Sequence, residues 1–107
     1  MQAQINTERL LDIGRNALYF EDYVVSIGYF NQVIEAKPYL TDPYYFRAIA
    51  KLYLEDFRGC IADCNSALDI NPFLPKVYYL RGYAKRYIRE WDSSTDDMRK
   101  ALEFDPD

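Results

Sequence analysis

Two cysteines, Cys60 and Cys64, and the adjacent acids Asp96 and Asp97 are the residues whose types and spacing come nearest to chemistry. Cysteines four apart on a helix share a face. They could form a redox pair or supply half of a metal site. A zinc site needs further ligands, and the chain has no other cysteine and no histidine. The pair is therefore read as two small core residues that bind no metal and form no bridge. The lack of histidine also removes the usual general base. Neighbouring acids on a helix point to different sides, so Asp96 and Asp97 make a poor catalytic dyad. There is no glycine-rich phosphate loop and no nucleophile–base pair. The reading is a non-enzyme without a cofactor.

Composition narrows the rest. The chain has 107 residues, half of them hydrophobic, which is one domain's worth or three short repeats. Eleven tyrosines dominate a high aromatic share. The tyrosines could stack on bases, but a net charge of −4 opposes nucleic-acid binding. No apolar run approaches the roughly 20 residues of a membrane span. The first six residues, Met1 to Asn6, have no basic or apolar region of an intact signal peptide. They fit a cytoplasmic start, or the stub left by a removed signal with an added methionine, which would place the chain in the cell envelope.

The elements that must position these residues follow a fixed period. Pro38, Pro72 and Pro106 recur every 34 residues, and a period of this size marks a solenoid. In the same register Tyr44, Tyr45, Arg47, Ala50 and Lys51 fall on Tyr78, Tyr79, Arg81, Ala84 and Lys85. Tyr23, Phe57 and Trp91 are aromatic in every copy. Each repeat reads as two helices. Asn6 or Thr7 caps the first, to about Phe20, and Asp22 caps the second, to Lys37-Pro38. Asp42-Pro43 opens the third, to about Glu55, and Asp56 caps the fourth, to about Ile70. Pro75 opens the fifth, to about Arg89, and Trp91 or Asp92 begins the last. Loops are short, so neighbouring helices are antiparallel. The divisions are a stub at 1–6 and repeats at 7–40, 41–74 and 75–107, with the array cut short at its C-terminal end.

This pattern resembles the tetratricopeptide repeat (TPR) family, whose 34-residue hairpin carries W-x2-L-G-x2-Y, then A-x3-F, then P. The first repeat supplies Leu10, Ile13, Gly14, Ala17, Ser26, Phe30 and Pro38. The second supplies Tyr44, Ala48, Cys60, Cys64 and Pro72, and the third Tyr78, Gly82, Ser94, Met98 and Pro106. The resemblance covers residues 7–107. It implies an all-α solenoid of three helix–turn–helix hairpins, six helices in a right-handed superhelical array. Arg47 and Arg81 replace the family's usual leucine, and Lys51 and Lys85 its usual tyrosine. A buried arginine needs a partner. Arg47–Asp63 and Arg81–Asp97 are the candidate ion pairs, with independent solvated charges as the alternative.

In this family the first helix of each hairpin lines a concave groove that holds partner peptides. The resemblance places Leu11, Arg15, Leu18 and Tyr19 there from the first repeat. It adds Tyr45, Ile49, Leu52 and Tyr53 from the second, then Lys76, Tyr79, Tyr83, Arg86 and Tyr87 from the third. Tyrosine offers large contact area, a polar tip and few rotatable bonds. The stripe is either an exposed groove or a packing and self-association surface. A subclass of the family grips a C-terminal carboxylate at the places held here by Leu11, Arg15, Phe46, Lys76 and Leu80. Only Lys76 matches, so no carboxylate clamp is expected. The first reading is a scaffold for a protein or peptide partner of acidic, aromatic or aliphatic character. The other is a structural self-assembly module, with homodimerisation through an uncapped C-terminal repeat.

Overall fold

The computed structural model describes residues 6–107; the first five residues of the N-terminal stub lie outside it. Among the described residues the chain forms six α-helices and no strand. They are α1 (Thr7–Tyr19), α2 (Tyr23–Ala36), α3 (Thr41–Tyr53), α4 (Phe57–Ile70), α5 (Pro75–Tyr87) and α6 (Trp91–Phe104). Consecutive helices pack as hairpins, and α3 also touches α1 and α5. The result is an all-α solenoid, elongated to 52 × 25 × 22 Å.

The helix starts use less capping than the sequence implies. Asn6 and Asp56 accept from the backbone N–H groups of Arg9 and Gly59, three residues on. Asp22 occupies an N-cap position without a side-chain cap bond. The third helix begins at Thr41, behind Leu40, so Asp42 and Pro43 lie within its first turn rather than opening it. Proline is tolerated there because first-turn N–H groups have no intrahelical partner. Glu90, not Trp91 or Asp92, stands at the N-cap of α6.

Each hairpin turn repeats one device. Glu21, Glu55 and Arg89 adopt φ of 63°, 62° and 63°. Behind them the N–H groups of Asp22 and Asp56 donate to the carbonyls of Ala17 and Lys51 at 2.8 Å, and that of Glu90 donates to the Lys85 carbonyl at 3.0 Å. This is the Schellman closure, which favours glycine in the left-handed position. The turns joining hairpins are tied by rings instead. The hydroxyls of Tyr44 and Tyr78 donate to the carbonyls of Pro38 and Pro72 at 2.9 and 2.8 Å.

Within hairpins the crossings are close. A Cβ on Gly14 would lie 2.7 Å from the fully buried Phe30 ring, so only glycine fits. Ala48 and Gly82 hold the matching places, and the Ser94 hydroxyl donates to the Gly82 carbonyl at 2.7 Å. Cys60 and Cys64 are fully buried, in one core cluster with Ala67, Leu68, Val77, Leu80 and Ala84. A hydrogen bond with Cys60 and burial push the Cys64 thiol far up, so it stays protonated.

Two ionic networks cross this core. Arg47 donates through Nε and Nη2 to both oxygens of Asp63, at 2.8 and 2.6 Å. Lys51 joins at 3.0 Å, and the Asp63 side chain is 4% exposed. The third guanidinium nitrogen of Arg47 donates to Asn31 of the preceding hairpin at 2.8 Å. The second network copies it. Arg81 grips Asp97 at 2.9 and 2.7 Å and Asn65 at 2.9 Å, and Lys85 reaches Asp97 at 2.9 Å. The lysines and asparagines are members that the arginine–aspartate pairing alone does not name.

Three outcomes follow for stability. Arg47→Leu leaves the buried Asp63 carboxylate with Lys51 alone and is expected to cost about 3 kcal/mol in urea unfolding; a variant as stable as the parent would remove the buried pair from the account. Glu55→Gly relieves a left-handed glutamate and is expected to gain about 1 kcal/mol in the same assay. Burial raises the affinity of Asp97 for its proton, but the hydrogen bonds from Arg81 and Lys85 outweigh it and hold the carboxyl below its ordinary value. A carboxyl depressed on folding stabilises above its unfolded pKa of about 4 and loses that contribution as pH falls through the folded value. Unfolding free energy should therefore fall below about pH 4, and Asp97→Asn should flatten that part of the profile.

Candidate functional site

The arginine–aspartate contacts turn one face of α3 and of α5 toward the second helix of each hairpin. Tyr45, Ile49, Leu52 and Tyr53 then lie on the free side of α3, at the three- and four-residue steps of a helical face. Lys76, Tyr79 and Tyr83 lie on the matching side of α5. With Leu80 as the added member, these side chains line one cleft of about 650 Å³ between the two helices.

The other residues assigned to the groove lie elsewhere. Tyr87 lines a smaller neighbouring cleft of about 230 Å³ with Leu52, Tyr53, Glu55, Phe57 and Tyr83. Arg86 lies beside Tyr83, Tyr87 and Trp91 in a third, of about 410 Å³. Arg15 and Tyr19 line none of the three. Arg15 lies 4.8 Å from the centre of the Phe46 ring, and Tyr19 meets Phe20 edge-on while remaining exposed.

The tyrosines divide by environment. Tyr45, Ile49 and Leu52 are half-buried and pack against the core cluster, so they form the floor. Tyr53, Tyr79 and Tyr87 keep 63%, 59% and 53% of their surface in solvent. Two of these are still braced. Tyr53 stacks on Tyr23 at 5.0 Å, and Tyr87 on Phe57 at 4.5 Å, with the rings parallel within a few degrees. The hydroxyls of Tyr83 and Tyr87 share a 3.0 Å hydrogen bond, which pushes the Tyr87 phenol above its ordinary pKa. Burial does the same for Tyr45. Both phenols are neutral hydrogen-bonding groups at physiological pH.

Charge is also sorted. The sequence of α5 carries Lys76, Arg81, Lys85 and Arg86 with no acid. Asp97 engages Arg81 and Lys85. Among the described residues no carboxylate pairs with Lys76 or Arg86, both exposed. Lys76 lies 4.5 Å from the centre of the Tyr45 ring, in the first turn of α5. The helix N-terminus adds its partial positive charge there. The cleft is thus aromatic, with Lys76 as the one charged residue in its lining, while Arg86 and the acid Glu55 lie in the neighbouring clefts. Among the described residues no cluster of three or more potential metal ligands occurs, and no buried side-chain nitrogen or oxygen lacks a hydrogen-bond partner.

No family model and no curated sequence matches this chain; its similarity to known proteins lies in the fold. The first TPR domain of Spaghetti (RPAP3), bound to the HSP90 peptide SRMEEVD, superposes with a TM-score of 0.92 at 26% identity, over 94% of this chain and 80% of that one. The Arabidopsis OM64 TPR domain gives 0.91 at 25% identity, covering 94% and 83%. TPR2B of yeast Sti1, in a complex with pHsp70, gives 0.89 at 24%, covering 92% and 79%. The chain thus has the fold of these tetratricopeptide-repeat domains, an all-α solenoid of three helical hairpins.

The division between floor and rim makes a prediction. Tyr79→Ala, on the rim, is expected to leave the urea unfolding free energy within about 0.5 kcal/mol of the parent. Tyr45→Ala removes a ring packed on the core and is expected to cost about 2 kcal/mol. Equal losses would mean that both rings belong to the core.

Proposed function

We propose that this domain is a protein-interaction scaffold that holds an acidic partner segment, with an aromatic or aliphatic anchor, in the cleft between α3 and α5. The observation that carries the reading is the cleft itself: a floor of Tyr45, Ile49 and Leu52, the exposed Tyr53 and Tyr79, and Lys76 as the one charged residue of its lining. Aromatic anchors supply most interface energy, whereas rim charges act mainly on encounter and selectivity.

The fold's relatives support the general reading. One is bound to a peptide, SRMEEVD, whose sequence carries three acids. The finer reading separates this groove from a carboxylate clamp. Leu11, Phe46 and Leu80 offer a terminal carboxylate nothing to bond with, and Arg15 is stacked toward Phe46. Lys76 remains as the match, and it serves here as a rim charge. The partner is therefore held along its length rather than by its end.

Fluorescein-labelled acidic heptapeptides, with and without a central phenylalanine, provide the test. The aromatic peptides are expected to bind, and amidating their C-terminus should leave affinity unchanged. Tyr83→Ala should weaken binding by more than about 1 kcal/mol. Arg86→Ala should weaken it at low salt and leave it nearly unchanged at high salt. Loss of binding on amidation would instead assign a terminal-carboxylate clamp. Undiminished binding to folded Tyr83→Ala and Arg86→Ala variants would place the partner on another face.

A further inference from the structure

The end of the groove where α3 and α5 finish is built differently from its floor. The cleft of about 230 Å³ there is lined by Leu52, Tyr53, Glu55, Phe57, Tyr83 and Tyr87. Four of these six are aromatic, and the one charge is a carboxylate. Two of the rings form a corner: Tyr83 and Tyr87 meet at 69°, with centres 5.4 Å apart, and their hydroxyls are hydrogen-bonded. Tyr53 and Tyr87 are each held from one side by a stacked ring, Tyr23 and Phe57, and keep more than half of their surface in solvent. Arg86 lines the adjoining cleft beside Trp91 and not this one.

These groups share an affinity for cations that the chain itself does not use. The faces of aromatic rings are electron-rich and attract an ammonium group. Elsewhere the chain satisfies such rings internally, with Lys76 over Tyr45, Arg47 over Tyr44 and Arg81 over Tyr78. Among the described residues no lysine or arginine lies over Tyr53, Tyr83 or Tyr87. None pairs with Glu55, which is exposed. Its neighbour Asp56 is taken up in capping the Gly59 N–H. Helices α3 and α5 both bring their C-terminal ends here, and these carry partial negative charge.

We propose that this cleft is a cation subsite that takes the ammonium group of a lysine side chain, carried by the segment held in the α3–α5 groove. The source of the lysine rests on the groove reading; the affinity for an ammonium group does not. Three N–H donors suit the Glu55 carboxylate and the phenol oxygens, while the lysine stem lies along the rings. The groove is then polar along its length, with Lys76 facing an acid at one end and Glu55 a lysine at the other. Lys76 and Tyr87 are separated by a helical rise of about 16 Å. An extended segment covers that distance in about five residues.

The probes are fluorescein-labelled acidic peptides with a central phenylalanine and, about five residues from an acid, lysine, norleucine or glutamate. Each is made in both chain directions. In the better direction, lysine is expected to bind about fivefold more tightly than norleucine, and glutamate more weakly than either. Glu55→Gln should bring the lysine peptide down to the norleucine peptide and leave the latter unchanged. Glu55→Gly, expected to be more stable than the parent, should lose the same preference, which separates the effect from unfolding. Tyr87→Leu should reduce it.

Equal binding of lysine and norleucine peptides would overturn the proposal, as would a preference that survives Glu55→Gln. Tighter binding of a trimethyllysine peptide would give the site to a methylated side chain instead. If no peptide binds, the groove reading fails and a second probe decides the subsite alone. Nα-acetyl-lysine methylamide, titrated to about 50 mM, should shift the ring resonances of Tyr53, Tyr83 and Tyr87, and Glu55→Gln should abolish those shifts. Unmoved resonances would refute the subsite.

Discussion

The buried carboxylate of Asp63, and its copy Asp97, is the constraint on which the rest of the structure depends. An ion left without partners in a core is costly. Each aspartate meets this by drawing an arginine and a lysine from one face of the helix that opens its hairpin. Those contacts fix the rotation of α3 and α5 about their axes. The tyrosines on the opposite side are then presented together. The same arginines reach back to Asn31 and Asn65, so each network spans three helices and joins two hairpins. The first hairpin has no such network. Ile13, Ala17 and Tyr29 hold the corresponding places, and Phe30 packing on Gly14 closes the crossing instead.

This arrangement also decides which charges are available. Four cations on α5 read as a uniformly basic helix in the sequence, but two are consumed by Asp97. Lys76 and Arg86 remain at opposite ends of α5. Which cations of α5 stay free is thus a by-product of how the hairpin satisfies its buried acid. The tyrosines are similarly divided by the fold, some packed on the core cluster and others stacked with one face and an edge exposed. Rings braced in this way lose little freedom when a ligand arrives.

Much of the architecture was legible because the period is written in side chains with steric or backbone consequences: proline at the inter-hairpin turns, small residues at the crossings, aromatic residues at the second helix starts. The helix starts were less legible. Pro43 reads as a first position, yet the helix begins two residues earlier because the first turn has no use for the N–H that proline lacks. The hairpin turns were hidden altogether. Glu21, Glu55 and Arg89 carry no signal of left-handed backbone, since the conformation is imposed by the two helices closing on it. The arginine–aspartate contacts follow from charge recurring in register. Asn31 and Asn65 recur equally, but a neutral side chain gives no electrostatic reason to look for its partner. For the site, spacing put the tyrosines on one face of each helix. It could not tell the floor from the rim, because that depends on how deeply α3 and α5 sink toward each other.

Chemical-shift mapping of the domain with an acidic, phenylalanine-bearing peptide tests the central claim most directly. The account predicts perturbations that converge on Ile49, Leu52, Tyr53, Tyr79 and Tyr83, with the outer surfaces of α2 and α4 unaffected. It further predicts that Arg81→Lys, which keeps the charge but loses the bidentate grip and the bond to Asn65, disperses that pattern without unfolding the chain. Perturbations centred on α2 or α4, or an unchanged pattern in the folded Arg81→Lys protein, would contradict it.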